Sequence, residues 1–318
     1  MSVFISVFAE KLDAMLDYRT TRGFKRESYL PHLVKFDRYC YNHFCEVPEL
    51  TTDIVHGWLE SEVSRDISTK TTAVRQFGKY LCAIGDDAYV LPEKYTSSKH
   101  PQAPYIFTDD EISALFLSID NLKGTRSEPY FSEIAPVLFR LTYTCGLRPN
   151  ESRELLCENI NLNNGDILIT NTKKNKERIV VMSDEMLAMC RKYDLRRGIF
   201  GGANPYFFPS VKGSSLTNDS VYAAFNKAWK KAARFCGNPL PKNARVYDLR
   251  HRFASARLNL WLDEGENLMV MLPYLRTYMG HDTMNETAYY IHILPENLVK
   301  SSAIDWNVFN SMFPEVTE

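Results

Sequence analysis

No apolar run in the 318-residue chain approaches the roughly 20 residues that span a bilayer. This argues against a membrane-embedded protein. The N-terminus also lacks the basic start of a signal peptide. MSVFISVFAEKLDAML meets Glu10 and Lys11 early, and Phe4, Val7, Phe8, Leu12, Met15 and Leu16 recur at helical spacing. The segment predicts an amphipathic helix. Seven cysteines (Cys40, Cys45, Cys82, Cys145, Cys157, Cys190 and Cys236) are scattered without a CxxC. An odd count with no paired spacing suits reduced thiols in a cytoplasm and argues against zinc. There is no repeat or low-complexity tract. Apolar content of 45% and charged content of 24% are ordinary for a soluble globular chain.

Net charge is nearly absent at −1, but the balance is local rather than uniform. Arg191–Arg257 carries 14 Lys and Arg against 3 Asp and Glu, whereas Leu258–Glu318 carries 2 against 9. The first segment is a candidate footprint for a polyanion. It could equally be neutralised by the acidic segment packing over it.

Residues 1–90 read as all-helical, with further helices over about Glu27–Phe44, from Thr51-Thr52-Asp53, and from Ser68 to Gly85. Arg19, Arg22, Lys25, Arg26, Lys70, Arg75 and Lys79 could line a DNA-facing side or be a solvated helix face. Residues 1–106 carry 13 basic against 14 acidic side chains. Periodicity stops after Asp86. Pro92, Pro101 and Pro104 sit among Ser97, Ser98 and Lys99, which suits an extended linker over 91–106. Thr108-Asp109-Asp110-Glu111 restarts the chain with a capping box. A second domain, 107–318, is then expected to hold helices at 109–119, 130–145 and 218–235. Two β-rich runs, 166–170 and 178–182, follow the turn Asn163-Asn164-Gly165. The class is mainly α with a small antiparallel sheet.

Several residues carry chemistry. Arg148 lies in Thr-Cys-Gly-Leu-Arg-Pro-Asn-Glu151, where Gly146 can end one helix and Pro149 start another. It is either an anion-binding guanidinium at a helix start, held by Glu151, or a surface Arg at a junction. Lys173, Lys174 and Lys176 fall on the expected hairpin tip, as a mobile cationic arm or a solvated turn. Tyr247 and Arg250, at i and i+3, share one helical face, and the Arg fork matches two phosphate oxygens. His281 follows Gly280 at a helix end, where a lone His is commonly structural. Tyr290 follows Tyr289, and a Tyr pair at helical spacing is commonly core.

In order and spacing these pieces resemble the tyrosine recombinases, the integrase family of phages and mobile elements. The family's Gly-Leu-Arg-x-x-Glu appears as Gly146–Glu151. Its hairpin Lys ahead of Asn-Lys-Glu-Arg appears as Lys173-Lys174 before Asn175–Arg178, with register favouring Lys173. Its His-x-Leu-Arg-His appears as Tyr247-Asp248-Leu249-Arg250-His251, its Leu-Gly-His as Met279-Gly280-His281, and its nucleophile as Tyr290-Ile291-His292. The resemblance covers about 107–318, and the helical N-terminal part fits the family's DNA-clamping core-binding domain. One departure stands out: Tyr247, a further catalytic candidate, occupies the place of the family's usual His; a phenol can donate a hydrogen bond to the phosphate, but with a reference pKa near 10 it is a poor base.

The resemblance implies DNA cleavage and rejoining through a 3′-phosphotyrosine on Tyr290, without metal, ATP or other cofactor. Arg148 and Arg250 would neutralise the phosphate, His281 would donate to it, and Lys173 would protonate the leaving 5′-oxygen. Lys174, Lys176, Lys230, Lys231 and Arg245 are further candidates for DNA contact. The expected partner is double-stranded DNA, held by a homotetramer on two sites. A C-terminal tail helix from about 294 would be exchanged between protomers, and accessory DNA-bending proteins could assist. The alternatives are a catalytically weak or inactive DNA-binding protein of the same fold and a type IB topoisomerase.

Overall fold

A computed structural model describes residues 3–61, 67–95, 104–170, 177–236, 240 and 243–292. The tail from 294 and the hairpin tip lie outside these residues. The chain divides into two compact units, Met1–Gln102 and Ala103–Glu318.

The first unit packs α1 (Ala9–Thr21), α2 (Leu30–His43), α3 (Thr52–Ser61) and α4 (Ile67–Ala83) around one apolar core. Phe36 meets Trp58 edge-on at 5.2 Å, and Phe8 meets Phe77 at 5.8 Å. The first helix starts later than its periodicity predicts. The fully buried Asp37 takes the backbone N–H groups of Ile5 (2.7 Å) and Ser6 (3.0 Å), so residues 3–8 run as a pinned, non-helical segment. Phe4 and Phe8 are buried all the same.

The structure corrects part of the expected cationic side. Lys70 is 2% exposed, with its ammonium 4.6 Å from the Trp58 ring. Arg75 is 5% exposed and donates to the carbonyls of Leu91 (2.6 Å) and Pro92 (3.0 Å). Both cations act inside this unit. Arg26 is ion-paired with Asp13 and Asp17, and Arg19 lies over Phe24 and Tyr29. Lys25 and Lys79 are exposed, and Arg22 is exposed beside Tyr18.

The second unit opens with α5 (Asp109–Asp120), whose capping box closes through Thr108 Oγ1 and Glu111. α6 (Phe131–Thr144), α7 (Pro149–Arg153), α8 (Asp184–Phe200), α9 (Asn218–Cys236), α10 (Asp248–Asp263), α11 (Leu268–Met279) and α12 (Met284–His292) follow. β1 (Asp166–Ile169) and β2 (Arg178–Val181) pair antiparallel between α7 and α8, with Asp166 opposite Val181 and Ile169 opposite Arg178. α5 packs on α9, and Phe107, just ahead of α5, meets the rings of Phe225 and Trp229. On α9, Val221, Phe225, Trp229 and Ala232 are buried, Lys227, Lys230 and Arg234 are exposed, and Lys231 is half-buried. A separate apolar cluster ties α10 to α11 and α12 through Leu258, Leu272, Leu275, Met279 and Tyr290. It brings the end of the described chain back to α10.

Candidate active site

Gly146 makes the first turn of the site. It ends α6 at φ 59°, and a Cβ there would strike the Phe253 ring at 2.4 Å. Both facts demand glycine. The turn delivers Arg148 to the position before α7. That helix is five residues long, so its dipole is small, and side chains do the holding. Glu151 accepts from the Arg148 backbone N–H and from Nη1, each at 2.8 Å, and Arg148 Nη2 donates to the Gly280 carbonyl at 2.8 Å.

Arg178, at the start of β2, grips the same carboxylate with both terminal nitrogens at 3.0 and 2.7 Å. Its Nε donates to the Tyr278 carbonyl at 2.8 Å. Burial alone would raise the Glu151 carboxyl. Hydrogen bonds and charge from Arg178, then the Arg148 backbone and Arg250, overcome this and hold it at about 2. Glu151 is thus a permanent anion between cations.

Arg250 lies in the first turn of α10 and is 0% exposed. Nη1 donates to the Gly146 carbonyl at 2.6 Å, and Nη2 to the Met279 carbonyl and to His281 Nε2, the latter at 3.1 Å. Its Nε is a buried donor without a hydrogen-bond partner among the described residues. The two guanidiniums therefore sit on consecutive carbonyls, Met279 and Gly280, at the C-terminus of α11. Gly280 caps that helix at φ 65°, and an added Cβ would lie 3.1 Å from Arg178 Nη1.

His281 follows directly. An Arg only donates, so Nε2 accepts and the proton belongs on Nδ1, which faces Thr287 Oγ1 at 2.8 Å. Burial, then the charges of Arg250, Arg148 and Arg178, push His281 down to about 3. It is neutral at pH 7.

Tyr290, on α12, is 2% exposed, and Tyr289 is 42% exposed. The Tyr290 ring stacks on His281 at 5.9 Å and 14°. Its hydroxyl lies 3.2 Å from His251 Nδ1. Burial, only partly offset by Arg250, pushes the phenol up to about 12. Tyr247 is half-buried beside Arg148, its ring 5.0 Å from that of His251.

Arg148, Arg250, His281, Tyr290 and Tyr247 thus share one site. Arg245 is half-buried and ion-paired with Asp248 at 3.0 Å. Lys230 and Lys231 lie on α9, while Lys173, Lys174 and Lys176 fall outside the described residues. Sequence reading assigned no site role to Arg178, Thr287 or His251. His251 was visible in the five-residue box, but its partner lies 39 positions on.

A model of the phage integrase family matches residues 106–297. The chain belongs to that family. Among curated integrase-family proteins, a probable integrase/recombinase of Methanocaldococcus jannaschii is 30% identical over 89% of this chain and 86% of its own length. A putative integrase/recombinase of Sinorhizobium fredii is 28% identical over 92% and 93%. The tyrosine recombinase XerD of Pseudomonas putida is 25% identical over 90% and 92%. Among solved integrase-family folds, the XerH recombinase in a post-cleavage complex aligns with TM-score 0.60 and 21% identity, over 89% of this chain and 80% of that one. The Tn1549 transposon integrase aligns at 0.61 and 16%, over 98% of each. This chain is a tyrosine recombinase by family and by fold.

Proposed function

We propose that this protein cuts and rejoins double-stranded DNA at specific sites, with Tyr290 as nucleophile and a covalent 3′-phosphotyrosine intermediate. The supporting observation is the convergence of Arg148, Arg250 and His281 on the surroundings of the Tyr290 hydroxyl. The similar XerH and Tn1549 integrase structures contain DNA, which supports DNA as the substrate.

In this reading Tyr290 Oη attacks phosphorus and the bond to the 5′-oxygen breaks. A 5′-hydroxyl from a partner strand later reverses the step. Covalent catalysis splits one exchange into two and keeps the phosphodiester energy in the protein–DNA link, so no ATP is consumed. Arg148 and Arg250 supply positive charge to the non-bridging oxygens, where preorganised charge counts most. Lys173 is the proposed acid for the leaving oxygen. Lys174, Lys176, Lys230, Lys231 and Arg245 are proposed to contact DNA. The domains assigned to 1–90 and 107–318 clamp the duplex, in a cytoplasmic homotetramer that exchanges its tails.

The test is a randomised pool of nicked duplexes, in which cleavage traps the adduct. Wild-type protein should retain a DNA strand after denaturation, with the link mapped to Tyr290. Tyr290→Phe should retain none, and Tyr289→Phe should behave as wild type. Loss in Tyr289→Phe with retention in Tyr290→Phe would overturn the assignment. Tyr247, in place of the family's His, motivates a second reading as a DNA binder without cleavage. DNA retention without any adduct would favour it.

A further inference from the structure

We propose that His251 takes the proton from the Tyr290 hydroxyl, so that the base of this site stands one helical turn beyond Tyr247. The inference rests on Tyr290 being the nucleophile and supplies a proton acceptor that the proposed function leaves unassigned.

Three aromatic groups adjoin Tyr290, and geometry separates them. His281 stacks on its ring, but Nε2 takes a proton donor from Arg250 and Nδ1 faces Thr287. Neither nitrogen is directed at the nucleophile. Tyr247 is a phenol and a poor acceptor of protons at neutral pH. His251 presents Nδ1 to the hydroxyl at 3.2 Å, within the usual reach of a base when thermal adjustment is allowed.

His251 also has a carboxylate behind it. Asp248 Oδ1 lies 4.0 Å from Nε2, one turn back on α10. Asp248 is fully buried and held by the Arg245 backbone N–H at 2.7 Å and by Arg245 Nη2 at 3.0 Å. The order carboxylate, imidazole, hydroxyl is the arrangement of a nucleophile, its base and the group that steadies the charged base. The charged and titratable groups around His251 are Asp248, Arg245, Tyr247 and Arg250 from its own chain segment, His281 before α12, and Tyr290 on α12. Burial, then Arg245 and Arg250 against the pull of Asp248, lowers the imidazole to about 4, so it is free to accept at pH 7.

Tyr290 Oη bonds to phosphorus and its proton passes to His251 Nδ1. The bond from phosphorus to the 5′-oxygen breaks, its electron pair stays with that oxygen, and Lys173 supplies a proton there in the reading above. In rejoining, the 5′-oxygen bonds to phosphorus and its proton returns to Lys173, while the bond from phosphorus to Tyr290 Oη breaks and the imidazolium gives its proton back to Oη. A phenol near 12 leaves about one molecule in 10⁵ ionised at pH 7. Transfer is therefore uphill while the phenol is free and becomes favourable as bonding to phosphorus draws electron density from Oη.

The test uses full-length protein on the nicked duplex pool, with a second pool carrying sulfur in place of the 5′-bridging oxygen. Thiolate leaves without an acid, so the second pool isolates deprotonation of the nucleophile. His251→Asn can still hydrogen-bond the hydroxyl but has no basic nitrogen. We expect adduct formation to fall by about a hundredfold or more on both pools. We also expect His251→Ala to regain rate as imidazole is added, which a misfolded variant cannot do. Wild-type rate in His251→Asn, or no imidazole rescue in a folded His251→Ala that still binds DNA, would overturn the proposal and leave Tyr290 intact. No adduct from wild type would overturn both.

Discussion

Glu151 is the residue on which most of the site's charge converges. It receives Arg178 in two hydrogen bonds and Arg148 in two more, with side-chain exposure of 7%. Removing its charge strands two guanidiniums in a poorly solvated place. Glu151→Gln should cost on the order of 3 kcal/mol of stability, read as a lower urea midpoint at unchanged slope. A loss below about 0.5 kcal/mol would show that the cations find other partners. The cluster was only half visible in the sequence. Arg148, Arg250, His281 and Tyr290 stood out because each sits in a short motif, and Glu151 because it lies three residues from Arg148. Arg178 did not, since its partner is 27 positions away across a strand. Lys70 and Arg75 misled for the opposite reason: linear charge counts cannot see a Trp face or two carbonyls waiting inside the fold.

Among the elements, the helices and the hairpin followed from periodicity and turn chemistry to within a few residues. The capping box at Thr108 and the helix end at Gly280 are local devices that operate whatever surrounds them. The start of α1 was not readable, because it is decided by a carboxylate on α2. Gly280 allows an element-scale prediction. Alanine there must adopt a left-handed backbone and crowd Arg178. Gly280→Ala should cost about 1–2 kcal/mol in chemical unfolding and slow adduct formation by displacing His281. Unaltered stability would mean that the α11 terminus repacks freely.

For the molecule as a whole, the depressed histidines set its response to acid. His251 and His281 ordinarily titrate near 6.5, but are held at about 4 and about 3. Below pH 6.5 the unfolded chain binds protons that the folded one refuses. Stability is therefore fully present above that pH and lost on descent, with a slope of up to ~3 kcal/mol per pH unit for the pair. Glu151, held at about 2, adds a further loss below about pH 4.5, the ordinary carboxylate range. Urea midpoints at pH 7, 5.5 and 4.5 should fall in that order, and a rise toward pH 5 would contradict the assignment.

Thr287 and Tyr290 occupy adjacent turns of the same helix, one fastening the proton of His281 and the other lying across its ring. Arg250, beneath them, is wholly covered. Uncovering the guanidinium and releasing the imidazole would therefore take one movement of that helix rather than two.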